Sequence, residues 1–168
     1  MCKGESINEI NINTIDLKAL VANTINKVFD TILSMNVEVS DVDSPPMLDG
    51  NRIVGSVSFA GDVTGNISIH VADVFARHMT AAMLGMELEE IEDEEEVDDV
   101  IGELSNMIGG DLKSRFCDSG FPCKLSIPSI TRGSDFKIES MGWIRHERLG
   151  FSNNEHSGFV EVFIKSGS

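Results

Sequence analysis

The chain has 168 residues, 41% of them hydrophobic, which suits one domain with a sizeable core and excludes a largely disordered chain. Its 28 Asp and Glu against 13 Lys and Arg give a formal net charge of −15, which argues against nucleic acid or an anionic membrane as partner. No apolar run approaches the ~20 residues of a membrane span, and Met1-Cys2-Lys3-Gly4-Glu5-Ser6 lacks the apolar stretch of a signal peptide, so a cytoplasmic protein is expected.

Residues 1–13 are polar and Asn-rich and are expected to be a flexible lead-in to a single domain over 14–168. From Asp16, Leu17, Leu20, Val21, Thr24, Ile25, Val28, Phe29, Ile32 and Leu33 recur at helical spacing, predicting an amphipathic helix as far as Met35. Residues 37–42 alternate apolar and polar side chains and read as a strand, closed by Ser44-Pro45-Pro46, where two prolines remove ladder donors. Residues 52–59 and 65–71 flank Gly61-Asp62-Val63-Thr64 and read as a β-hairpin. Residues 73–84 read as a helix stopped by Gly85, with Met79 and Met83 as core filler.

Ten acids crowd the stretch from Glu87 to Asp99, without the ordered Asp-x-Asp-x-Asp-Gly of a calcium loop. It reads mostly as a solvated linker whose last acids favour the N-terminus of the next helix. That helix, 97–116, organises the chain. Val97, Val100, Ile101, Leu104, Met107, Ile108 and Leu112 form its broad apolar side, while Asp99, Glu103, Asn106 and Gly110 fall within an arc of about 60° opposite. Gly109 and Gly110 in a helix interior should each cost about 1 kcal/mol relative to Ala, so something must require them. At Gly110 a missing Cβ would let another protein's backbone approach the amide and carboxylate. Alternatively, Gly102, Ser105 and Gly109 form a small-residue seam for a neighbouring helix of the same domain, a reading that burial of Glu103 and Asn106 would favour.

Beyond this helix, residues 124–130, 143–151 and 158–165 read as strands, and 132–142 have no assignment. Residues 14–71 and 94–165 then each run helix, strand, strand, strand, predicting an α+β fold of two pseudo-twofold halves. These share one largely antiparallel sheet with two long helices packed on it in two layers. Val160 to Ile164 is apolar enough to be a hazard as a bare sheet edge. Cys2, Cys117 and Cys123 have neither redox-pair nor zinc spacing and are expected to be reduced thiols. His70, His78, His146 and His156 have no spacing that pairs them on one helix face, so no metal site is expected. Neither a nucleophile elbow nor a phosphate-binding glycine loop is present.

Asp99-x3-Glu103-x2-Asn106, within Gly102-Glu103-Leu104-Ser105-Asn106-Met107-Ile108-Gly109-Gly110, resembles the signature of the CheX chemotaxis phosphatases of the CheC/CheX/FliY group. Residues 20–33 resemble the family's opening helix and 59–67 its first hairpin. CheC proteins carry a further Glu-x2-Asn on the first helix; its absence here implies a single site. The resemblance implies that the substrate is the aspartyl phosphate of a CheY-like response-regulator receiver domain. It assigns Asn106 to orient the attacking water, Glu103 to bind the receiver's active-site lysine, Asp99 to assist docking and Gly110 to provide room. It further implies no cofactor belonging to this chain, a Mg2+ ion in the receiver, and a homodimer. A non-catalytic receiver-binding or flagellar-switch module with the same fold is the alternative.

Overall fold

The structure, a computed structural model, describes residues 11–42, 48, 50–134, 136, 142, 145–154 and 156–167. Among the described residues, seven strands and three α-helices follow one another as α1 (Leu17–Leu33), β1 (Glu38–Asp41), β2 (Arg52–Gly61), β3 (Val63–Ala72), α2 (Asp73–Leu84), α3 (Glu94–Asp118), β4 (Cys123–Leu125), β5 (Ser129–Gly133), β6 (Arg145–Asn153) and β7 (His156–Ser166). The strands make one antiparallel sheet in the order β1-β6-β7-β3-β2-β4, with β5 also paired to β2. Exchanging β1, β2 and β3 with β4, β6 and β7 reverses this order into itself. The expected pseudo-twofold therefore holds, with its axis between β3 and β7, which pair from Val63↔Ser166 to Val71↔Gly158.

Local chemistry sets the helix ends. Asp16 caps α1 by accepting from the Ala19 amide at 3.1 Å, and Ser34 closes it in the left-handed region at φ 51°. Gly85 closes α2 at φ 65°, the stop expected from the sequence. Alternate residues of the central strands, among them Ile53, Val57, Phe59, Ile67, Ile69, Val160 and Val162, face the helices and meet Val21, Ile25 and Phe29 of α1 and Ile101, Leu104, Ile108 and Leu112 of α3. The Phe29 and Phe151 rings lie 4.7 Å apart where α1 crosses β6.

Several expectations are corrected. Of the expected lead-in, residues 1–10 lie outside the described residues, but Ile12 is buried at 2% exposure, and Arg145 donates to the carbonyls of Ile12 and Ile15. The acidic stretch is not mostly linker: Asp93 caps α3, Glu94 to Glu96 form its first turn, and Leu88–Glu90 is a short 3-10 turn. The hairpin turn is tighter than expected, since only Asp62 separates β2 from β3. Residues 124–130 form two strands instead of one. Val160 to Ile164 is not an edge: β7 pairs on both sides, so the hazard argued for it does not arise. Trp143 and most of 132–142 lie outside the described residues.

The sheet face away from the helices is not simply solvated. Val54, Ser68, His70, Phe159 and Phe163 are buried on it, as is Glu161 at 3% exposure. Glu161 accepts from Arg148 and lies 3.0 Å from the His146 ring nitrogen Nε2. Among the described residues, no helix is long and apolar enough to cross a membrane.

Candidate functional site

The candidate site lies on α3, and its placement begins with the glycines. A Cβ on Gly109 would overlap the Val57 Cγ2 methyl and meet Leu125 Cδ1 at 3.2 Å. A Cβ on Gly55 of β2 would overlap Ser105 Oγ, which donates to the Ile101 carbonyl at 2.7 Å. Gly109, Ser105 and Gly55 thus allow α3 to lie directly on β2. The small-residue seam exists, but it packs against a strand and not against a neighbouring helix. Gly110 differs entirely: nothing lies within 4 Å of the Cβ it lacks.

With one side of α3 fixed to the sheet, the opposite side must face out. Asp99, Glu103 and Asn106 are all exposed and Gly110 is partly so, one turn beyond Asn106 on the same stripe. Among the described residues, none of the three side chains has a hydrogen bond or ion pair. The structure therefore brings the four predicted residues onto one open face, with a carboxylate and an amide unengaged. The reading that buries Glu103 and Asn106 in an intramolecular seam is overturned.

Ion pairs on both flanks hold the stripe's orientation. On one side, Asp111 of α3 accepts from Thr24 Oγ1 at 2.7 Å and Lys27 Nζ at 2.8 Å of α1, and from Arg115 Nε at 2.8 Å. Burial alone would raise the Asp111 carboxyl, but these donors prevail and hold it at about 2. On the other side, Arg132 of β5 donates to Asp98 of α3, to Asp73 of α2 at 3.2 Å and to the Glu94 carbonyl at 3.3 Å. The three acids of the first turn also complement the helix dipole.

Sequence reasoning missed Arg132 and the edge formed by residues 126–128 beside Gly102, where a Cβ would be 3.8 Å from Pro128 Cγ and 3.9 Å from Ile130 Cδ1. The one local signal was Pro128 inside a strand pattern, which marks an edge or a bulge. No group of three or more metal-ligating side chains occurs among the described residues. Cys117 and Cys123 are free, and burial pushes the Cys123 thiol up to about 11, away from nucleophilic use.

Known structures share this fold. Chemotaxis protein CheX from Vibrio vulnificus superposes with a TM-score of 0.77 at 21% identity, over 90% of this chain and 97% of its own. CheX from Desulfovibrio desulfuricans gives 0.74 at 21% identity, over 90% and 100%. The CheX-CheY-BeF3-Mg2+ complex from Borrelia burgdorferi gives 0.75 at 22% identity, over 90% and 99%. No curated protein is similar enough to match. The family model described as chemotaxis phosphatase CheX matches residues 53–148, a span that includes the hairpin, α3 and the whole exposed stripe, and the chain belongs to that family.

Proposed function

We propose that this chain accelerates hydrolysis of the aspartyl phosphate on a CheY-like receiver domain. The observation that carries the reading is the outward, unengaged pair Glu103 and Asn106 on a helix pinned at both flanks, within a chain of the chemotaxis phosphatase CheX family. A related fold is found in a complex with CheY, BeF3 and Mg2+, which supports a receiver as partner.

The chemistry asks little of the second protein. Water attacks phosphorus in line, the bond from phosphorus to the receiver's aspartyl oxygen breaks, and inorganic phosphate and a free carboxylate leave. Phosphoryl transfer is loose and responds mainly to positioning and charge stabilisation. The Asn106 amide has both an acceptor and donors, so it can hold a water by one hydrogen while facing the phosphoryl group. The Glu103 carboxylate, one turn away, pairs with the receiver's active-site lysine and fixes the register. Asp99 adds a docking contact, and Gly110 leaves space for the incoming backbone. The Mg2+ belongs to the receiver in this proposal, and the enzyme needs no cofactor of its own. A homodimer is also part of it, and sedimentation equilibrium gives the mass directly.

The test compares decay of a phosphorylated receiver with wild type, Asn106→Ala and Glu103→Ala. Wild type should shorten the half-life; Asn106→Ala should lose the acceleration while still binding, and Glu103→Ala should lose both. Binding by wild type without accelerated decay would make the chain a receiver-binding module and not a phosphatase.

A further inference from the structure

We propose that Ile127, lifted from the sheet edge that flanks α3 by a one-residue bulge, is an apolar docking residue for the receiver domain whose phosphoaspartate meets Asn106. The proposal rests on the phosphatase reading above and adds the contact that would select the partner.

The register shows the bulge. On β2, Phe59 pairs with Leu125 of β4 and Ser56 pairs with Ser129 of β5. Two residues of β2, Val57 and Ser58, thus oppose three residues of the edge, Ser126, Ile127 and Pro128. One extra residue in one strand bends it and re-aims a side chain, a device concentrated at sheet edges and next to active sites. Pro128 fits this position because it has no amide to give to the ladder.

The bulge is held firmly. The Ser126 amide donates to the Ser58 carbonyl at 2.9 Å, Ser126 Oγ accepts from the Ser58 amide at 2.9 Å, and Ser126 Oγ donates to the Ile127 carbonyl at 3.0 Å. Pro128 and Ile130 lie against Gly102 of α3. Gly102 is one turn before Asn106 on the same ridge of the helix, so the bulge borders the candidate site on the Asn106 side. There Ile127 is 88% exposed, far above any other exposed large apolar residue among those described, of which Val74 at 58% is next.

A single exposed isoleucine is ordinary on a protein surface. This one is distinguished by three coincident features: a bulge that lifts it, hydrogen bonds that fix the lift, and a place next to Pro128, which lies against Gly102 one helical turn before the unengaged amide. On this proposal a receiver that meets Asn106 and Glu103 also meets Ile127. Its four apolar carbons need a dry counterpart, whereas the acidic stripe needs cationic ones, so the two contacts answer to different features of the same partner.

The experiment measures steady-state dephosphorylation of a receiver phosphorylated by a small acyl-phosphate donor, with wild type, Ile127→Leu, Ile127→Ala, Ile127→Asp and Asn106→Ala. Thermal midpoints are recorded beside the kinetics. Ile127→Ala should raise KM about tenfold with kcat and the midpoint unchanged, as expected for losing the burial of an aliphatic side chain at an interface. Ile127→Asp should raise KM further, and Ile127→Leu should restore most of the wild-type value. If wild type is active and Asn106→Ala is not, but both Ile127→Ala and Ile127→Asp keep the wild-type KM, the docking inference is overturned and the phosphatase reading stands. A change in self-association with an unaltered KM would assign Ile127 to a second copy of this chain and overturns it equally. If wild type fails to accelerate decay of any receiver of its host, the phosphatase reading falls and takes this inference with it.

Discussion

Gly109 and Gly110 are neighbours with opposite roles, and the difference shows how finely α3 is divided between core and contact. Gly109→Ala must displace Val57 or lift the helix from β2, and should cost about 2 kcal/mol or more in a urea titration. Gly110→Ala meets nothing and gains helix propensity, so it should stabilise the chain by up to about 1 kcal/mol. If Gly110 provides room for a partner backbone, the same variant should weaken receiver binding even as stability rises. His70 is a second informative residue. It is 2% exposed, stacked on Phe159 at 4.2 Å, with Nε2 2.9 Å from Ser68 Oγ and Nδ1 unpaired. Burial, reinforced by Arg52 and Arg148, pushes its pKa down to about 3. The folded state therefore binds fewer protons than the unfolded chain, where the ordinary value is 6.5, and stability should fall as pH drops below 6.5 towards 3. Asp111 adds to the acid loss, but only between its ordinary 3.8 and about 2. His70→Gln should flatten the slope of the denaturation midpoint between pH 6.5 and 4 while leaving the steeper loss below pH 4, which separates the two groups. The strand position of His70 was legible in the sequence, but its burial was not, because nothing local marks a sheet face as covered.

At the scale of elements, most of the chain could be read from its periodicities. The apolar sides of α1 and α3 bury most of the residues their spacing predicted, although Ile32 is exposed and Leu20 and Met107 are only partly buried, and Gly85 stops α2 where a left-handed residue was expected. The single strand expected over 124–130 failed for a pairing reason. A bulge is an offset against a partner strand, and Leu125 and Ile130 reach the same face only because Ser126 to Pro128 shift the phase by one. The near-continuous apolarity of β7, interrupted by Glu161, has a similar cause: Gly158 to Ile164 are buried on both faces, so the alternation that distinguishes faces is erased. The acidic stretch was misread because dipole stabilisation and an Asp93 cap convert the end of a charged run into a first helical turn. Between elements, Asp111 ties α1 to α3 through Thr24 and Lys27. Asp111→Ala should cost about 2 kcal/mol, seen as a lower urea midpoint with an unchanged m value, because three donors lose a largely buried acceptor.

Over the whole molecule, the pseudo-twofold supplies two equivalent long helices on one sheet, yet only α3 carries an exposed carboxylate and amide three residues apart. The fold thus offers two helix faces and equips one of them. On the present proposal, one receiver should saturate each chain, and a titration giving two would contradict it. The sheet's ends are blunted: β1 is four residues long with acids at both ends, and the opposite edge is broken by a bulge and a proline. Both features discourage edge-to-edge pairing and leave the bulged edge available beside α3. The net charge of −15 asks for a partner that brings cations to the stripe, so association should weaken as ionic strength rises. The most direct test of the account is the half-life of a phosphorylated receiver of the host, measured alone, with wild type and with Asn106→Ala of equal helix content. Acceleration by wild type and none by the variant is the predicted result; equal acceleration by both would show that the exposed amide does not carry the reaction.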